Sequence, residues 1–182
     1  MRIGTGRTGR IGRGVFGLAA FGILRAMAGK QSAGILLYRR QPELQVLIGR
    51  LGGPFWERKK DRNWSIPKGE PLPDEPPLAA ARREFTEELG VPVPAVELAD
   101  LGEVRQSGGK LVRVFAGNAE VDLAAVVLGT FELDWPPRSG RRQQFPELAE
   151  VAWVSEVAAR ERLIAAQVEF LDRLRALVAG AG

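Results

Sequence analysis

The sequence predicts an α/β domain, and three observations lead to that class. Two apolar runs, SAGILLYRR (32–40) and LQVLIGR (44–50), are joined by a short turn containing Pro42, the signature of a hairpin of buried strands. A helix is bracketed by its own punctuation, from Asp74-Glu75-Pro76-Pro77 to Gly90. Over residues 155–178 apolar side chains recur at the helical period, which makes an amphipathic helix that needs a sheet to cover it.

In chain order, residues 1–30 come first as a Gly- and Arg-rich leader, and the domain is expected over 31–180. The leader's apolar run, 15–24, is too short to span a bilayer. Its basic start and the Ala-Met-Ala at 26–28 resemble a secretory signal peptide. The reading adopted is an extension outside the fold, or translation from Met27, because glycines weaken any helix in the run. A cytoplasmic location goes with that reading.

The strand hairpin follows, then a charged Gly/Pro loop, LGGPFWERKKDRN (51–63), and a short extended piece, WSIP (64–67). In the helix after it, Asp74 supplies a capping side chain, Glu75 sits at the positive end of the dipole, and prolines occupy the first turn. Leu78, Ala81, Phe85 and Leu89 share one inward face, and Gly90 ends the helix in a left-handed cap. VELADLGEVRQ (96–106) and KLVRVFAGNAEV (110–121) flank Gly108-Gly109 as a second hairpin. VVLGTFELDW (126–135) and EVAWV (150–154) are further strands. The closing helix starts at Ser155 as N-cap, turns Val157, Leu163, Ile164, Val168, Leu171, Leu174 and Leu177 inward, and stops at Gly180.

Composition narrows the chemistry. The chain has no cysteine and no histidine, which excludes thiolate nucleophiles, disulfides, His-containing triads and the usual zinc ligands. Acid–base work falls to carboxylates, lysine, tyrosine or water. The net charge of +4 suggests nucleic acid, but six basic residues and no acidic one lie in the leader. The rest holds 20 basic against 22 acidic residues. A long nucleic-acid track is therefore not expected, since it needs a basic stripe.

The chemistry concentrates in residues 69–91, GEPLPDEPPLAAARREFTEELGV. Glu84 and Glu88 are one helical turn apart, as are Glu84 and Glu87, so like charges crowd one face, and Glu87 and Glu88 are expected on the polar side of the helix. On an exposed helix each such pair costs only about 0.2–0.5 kcal/mol, so crowding alone proves no site. The whole pattern does more. Gly69, Glu75, Arg83, Glu84, Phe85, Glu87, Glu88, Gly90 and Val91 satisfy G-x5-E-x7-R-E-U-x-E-E-x-G-U, with U a bulky apolar residue.

That stretch resembles the Nudix hydrolase box, and with its flanking strands and closing helix the resemblance extends over residues 31–178. It implies an α/β/α sandwich with a mixed β-sheet. It also implies hydrolysis of a diphosphate linkage in a small phosphoanhydride substrate. Glu84, Glu87 and Glu88 would then hold Mg²⁺ or Mn²⁺, a fit with the preference of hard cations for oxygen. Arg83 would orient the glutamates through its planar fork, Glu75 would support the loop or an outer-sphere water, and Gly69 would bring its backbone close to the metal. The candidate bases are Glu84 and, in a later loop, Glu147, with Glu150 behind it.

Lys68, in a Pro-Lys-Gly entry to the box, would meet a phosphate, as would Arg138, Arg141 and Arg142. The loop cations Arg58, Lys59 and Lys60 are further options. Trp56, Trp64, Trp135 and Phe145 are placed to stack a base or to pack. The Pro-Lys-Gly entry is similar to that of dinucleoside polyphosphate hydrolases, which makes a diadenosine polyphosphate the expected substrate. The other readings are an RNA 5′-end or diphosphoinositol polyphosphate hydrolase, and a nucleotide-sensing module without catalysis.

Overall fold

The computed structural model describes residues 31–180; the readings of the leader, including its signal-like run and the start at Met27, lie outside them. In β1 (Gln31–Arg39) Ile35, Leu36 and Leu37 are all fully buried. Consecutive buried side chains point to opposite sides, so the strand must be covered on both faces. It runs parallel to β6 (Leu111–Asn118), from Gln31↔Leu111 to Tyr38↔Asn118. Its antiparallel pairing with β2 (Gln45–Leu51) holds only beside the turn, at Tyr38↔Val46 and Arg39↔Gln45.

Past that point β1 and β2 diverge, and the chain returns to fill the gap. β3 (Trp64–Ser65) pairs with β2, and β4 (Lys68–Gly69) pairs with β1. This places Lys68 and Gly69 inside the sheet, at the entrance of the box. β5 (Ala99–Arg105) pairs with β6, and β9 (Leu148–Ser155) with the far side of β2, completing a mixed seven-stranded sheet. β7 (Thr130–Asp134) and β8 (Arg142–Pro146) form a separate two-stranded hairpin.

Helix α1 (Pro77–Leu89) covers one face, where Ala80, Ala81, Phe85 and Leu89 pack with Ile35, Leu37 and Leu47. The other face carries α2 (Glu156–Arg162) and α3 (Val168–Gly180), with Leu163, Phe170, Leu171 and Leu174 against Leu36, Ile48, Val112 and Val114. The result is the expected α/β/α sandwich. Among the described residues, no helix is long and apolar enough to cross a membrane.

Several elements differ from the sequence reading. Asp74 does not cap α1: it adopts φ 60°, Pro76 is the cap residue, and no side-chain cap bond forms. Prolines lack an N–H, so this terminus has fewer donors to satisfy. Leu78 is 37% exposed, in the first turn, where the buried cluster under Phe85 does not reach. Gly90 does form the left-handed cap, at φ 69°, donating its N–H to Thr86 O at 2.8 Å.

The single closing helix is two. Leu163 leaves the helical conformation and Ile164 donates its N–H to Trp64 O at 2.9 Å, so the bond to β3 replaces a helical one. A 3-10 turn over Ala165–Gln167 then leads into α3. Ser155 caps α2 as expected, its Oγ accepting from the Ala158 N–H, but Val157 is 64% exposed. β8 was not expected at all, because RQQFP has no apolar alternation.

Candidate active site

One guanidinium organises the box. Arg83 donates from Nε and Nη2 to the two carboxylate oxygens of Glu75, at 2.9 and 2.8 Å. Its Nη1 reaches Glu84 Oε1 at 2.8 Å and Glu87 Oε2 at 3.0 Å, and Nη2 also reaches the Glu70 carbonyl at 3.0 Å. Planar donors in a fixed fork suit this sharing among carboxylates. Glu75 completes the loop by accepting the Leu72 N–H at 2.8 Å. Its carboxyl is held below the ordinary range, chiefly by the bonds from Arg83.

The glutamates do not share one environment. Glu87 faces solvent, but Glu84 and Glu88 are only 4% and 8% exposed, which corrects the expectation that Glu88 lies on the polar side. Phe85 and Glu88 are three residues apart, so the core stripe and the acidic stripe overlap. Burial pushes the Glu88 carboxyl up to about 8; repulsion from Glu147 and Glu84 adds to this, and Lys68 opposes it. The Lys68 N–H donates to Glu88 Oε2 at 3.1 Å. Lys68 itself is lowered, first by burial.

Gly69 sits under Glu84. A Cβ added there would fall 1.8 Å from Glu84 Oε2, so only glycine lets this carboxylate lie on the β4 backbone. Glu147 arrives from the other side. Residues 127–129 run along the end of α1 through Val127 N–H to Leu89 O and Gly129 N–H to Glu88 O. Glu147 then donates its N–H to Gly129 O and accepts the Gly52 N–H. It therefore stands beside Glu88, and no hydrogen bond or ion pair engages its carboxylate among the described residues. Glu150, by contrast, pairs with Arg50 at 3.1 Å.

The basic hairpin residues are elsewhere. Arg142 opens β8 and pairs with Glu132 at 3.1 Å, while Arg138 and Arg141 occupy the turn before it. Arg142 lies roughly 13 Å along the strand from Pro146, by the rise of an extended chain. The hairpin does not bring these three arginines to the carboxylates. Trp64 is buried under Arg162, Trp56 lies under Lys59, and Trp135 packs edge-on between Phe55 and Phe145. Sequence reasoning missed Glu70 and its partner Lys110, 3.2 Å apart; the signal available was only their position, at the box entrance and just after a Gly-Gly turn.

The donor set fits a hard divalent cation, being all oxygen and rich in negative charge. As they stand, no three acidic side chains among the described residues are gathered into a metal cage. Arg83 accounts for this, because its guanidinium spreads Glu75, Glu84 and Glu87 around itself. The costly burial of Glu88 remains as a feature that a cation would relieve.

A family model described as the NUDIX domain matches residues 20–174. No curated protein sequence matches the chain. Among solved structures, an Ap4A hydrolase from C. elegans in a binary complex is similar, with TM-score 0.59 and 20% identity over 82% of this chain and 98% of that one. The NUDIX domain of NrtR from Shewanella oneidensis, complexed with ADP ribose, gives 0.58 and 16% over 82% and 88%. A MutT protein from Methanosarcina mazei Go1 gives 0.54 and 22% over 82% and 94%. At these identities the solved structures speak for the fold, and the family model spans most of the chain with every box position kept. The chain belongs to the NUDIX domain family, the Nudix phosphohydrolases.

Proposed function

We propose that the chain hydrolyses a phosphoanhydride bond in a nucleoside polyphosphate, with a diadenosine polyphosphate as preferred substrate, in a reaction dependent on Mg²⁺ or Mn²⁺. The observation that carries this reading is the Arg83 fork, which ties Glu75, Glu84 and Glu87 together one turn from the buried Glu88. Glu84, Glu87 and Glu88, with the Gly69 carbonyl, would hold the metal. When bound, such an ion supplies charge neutralisation on phosphate oxygens and a lowered pKa for water.

The chain's own groups do the rest. Lys68, partly buried at the entrance of the box, meets a phosphate with its ammonium. Glu147, with its carboxylate uncommitted beside Glu88, accepts the proton of the attacking water. Glu84 is the second candidate for that proton, although it already accepts from Arg83. Arg138 and Arg141, and Arg142 once it leaves Glu132, would serve the distal part of a long substrate.

The test is a substrate panel with Mg²⁺ and Mn²⁺, with products resolved by chromatography. It spans diadenosine polyphosphates, oxidised and normal nucleotides, ADP-ribose, triphosphorylated and capped RNA, and diphosphoinositols. We expect the diadenosine polyphosphate to give the highest kcat/KM, and EDTA to abolish release. Absence of product from every compound would overturn the reading. A second readout is independent of turnover: Mg²⁺ should raise the Tm of the wild-type protein and leave that of Glu88→Gln unmoved.

A further inference from the structure

Three buried side-chain atoms among the described residues lack a hydrogen-bond partner: Ser32 Oγ, Glu70 Oε2 and Gln106 Nε2. Such orphans are few in a folded protein and each asks for a cause. Here all three fall at one corner of the sheet. The β1–β4 register, Gly34↔Lys68 and Ala33↔Gly69, carries on to set Ser32 against Glu70. Across β1 on the other side Ser32 pairs with Val112, two residues from Lys110. The Lys110 ammonium reaches Glu70 Oε1 at 3.2 Å, and the Gln106 N–H donates to Lys110 O at 2.8 Å.

Side-chain alternation puts them on one face. Val104 and Val112 both join the core under α3, so Gln106 and Lys110, two residues from each in extended backbone, point the same way. Lys68 shares that face: its Cβ would be 2.6 Å from a Cβ at Gly34, and only glycine opposite leaves room for the lysine stem. No ion pair engages the Lys68 ammonium among the described residues. Lys68 and Glu70 are therefore about 6.6 Å apart along one strand face, comparable to the span from a 5′-phosphate to the hydroxyls of its ribose.

The chemistry of the orphans selects a ligand. A carboxylate oxygen only accepts, an amide NH₂ only donates, and a hydroxyl does both. A phosphate has no proton for Glu70 Oε2, so it fails the set. A hydroxyl satisfies it, donating to Glu70 and accepting from Gln106. We propose that Ser32, Glu70 and Gln106 form a ribose subsite beside the box, reading a sugar hydroxyl of the nucleotide whose phosphates meet Lys68.

The inference rests on the nucleotide reading of the adjoining box. The Glu70–Lys110 pair covers the corner with side chains 20% and 31% exposed. The pair lies over the corner, so it turns aside on entry and frees Lys110 for the phosphate.

The test is calorimetric binding of ADP, 2′-deoxyADP and 3′-deoxyADP to the full chain, wild type, Glu70→Ala and Gln106→Ala. Losing a hydroxyl leaves a buried charged acceptor unpaired, so one deoxy analogue should bind wild type about 10- to 100-fold more weakly than ADP. In both variants that ratio should shrink to within about threefold, with Glu70→Ala binding the deoxy analogue at least as well as wild type does. A ratio near unity in wild type, or one that survives in both variants, would mean that the corner holds a structural water only and would overturn the subsite. If the ratio behaves as stated while no phosphoanhydride is cleaved, the hydrolase reading falls and the subsite stands.

Discussion

Arg83 shows how far a single residue can be read. Its fork was legible, because a planar guanidinium among glutamates has few other uses; its two bonds to Glu75 were not, since eight residues separate the pair in sequence. The burial of Glu88 was written there too, in its three-residue spacing from Phe85, but a charge was assigned to water by its type. Glu75 gives the residue-scale prediction. Hydrogen bonds from Arg83 depress its carboxyl, so on acidification the unfolded chain takes up the proton first. The stabilisation is complete above the ordinary glutamate range, near pH ~4.3, and is lost as pH falls through the lower folded value. Glu75→Gln should thus cost about 1–3 kcal/mol at pH 7, and thermal unfolding should show the gap from wild type closing in acid. A gap of equal size at pH 3 would assign the effect to packing.

Elements differ in how much their sequence determines. Helix α1 was located almost to the residue because prolines open it and Gly90 closes it, both by backbone geometry. The closing helix was misjudged because its apolar period runs straight across the break. The bond from Ile164 N–H to Trp64 O interrupts it, and that partner is a hundred residues away. β8 was invisible because a hairpin off the main sheet needs no apolar face, only Phe131 and Phe145 in contact with each other. The same distinction between pattern and cover gives a prediction for α1. Phe85 is fully buried and Leu78 is not, although both occupy the apolar stripe. Phe85→Ala should cost about 3–5 kcal/mol and Leu78→Ala no more than about 0.5 kcal/mol, read from denaturant melts. Equal losses would show that the first turn packs as the periodicity alone suggests.

For the molecule as a whole, the decisive feature is the divergence of β1 and β2, which no local pattern announces. Two apolar runs with a tight turn read as a hairpin, yet only Tyr38 and Arg39 of β1 pair with β2. The rest of each strand serves β3 and β4, so the box enters from inside the sheet. The charge is arranged to match. Beyond the leader, basic and acidic residues nearly balance, and the hairpin arginine Arg142 is already paired with Glu132. A substrate held at one carboxylate cluster and Lys68 releases few counterions on binding, whereas a nucleic-acid track displaces one for nearly every phosphate it neutralises. With Mg²⁺ saturating, kcat/KM for the best nucleotide should change by less than about tenfold between 50 and 200 mM salt, against about 10³–10⁵-fold for a track of 6–10 phosphate contacts. Steady-state rates across that range decide it. A steep decline, retained after residues 1–26 are removed, would move the substrate from a free nucleotide to the end of an RNA.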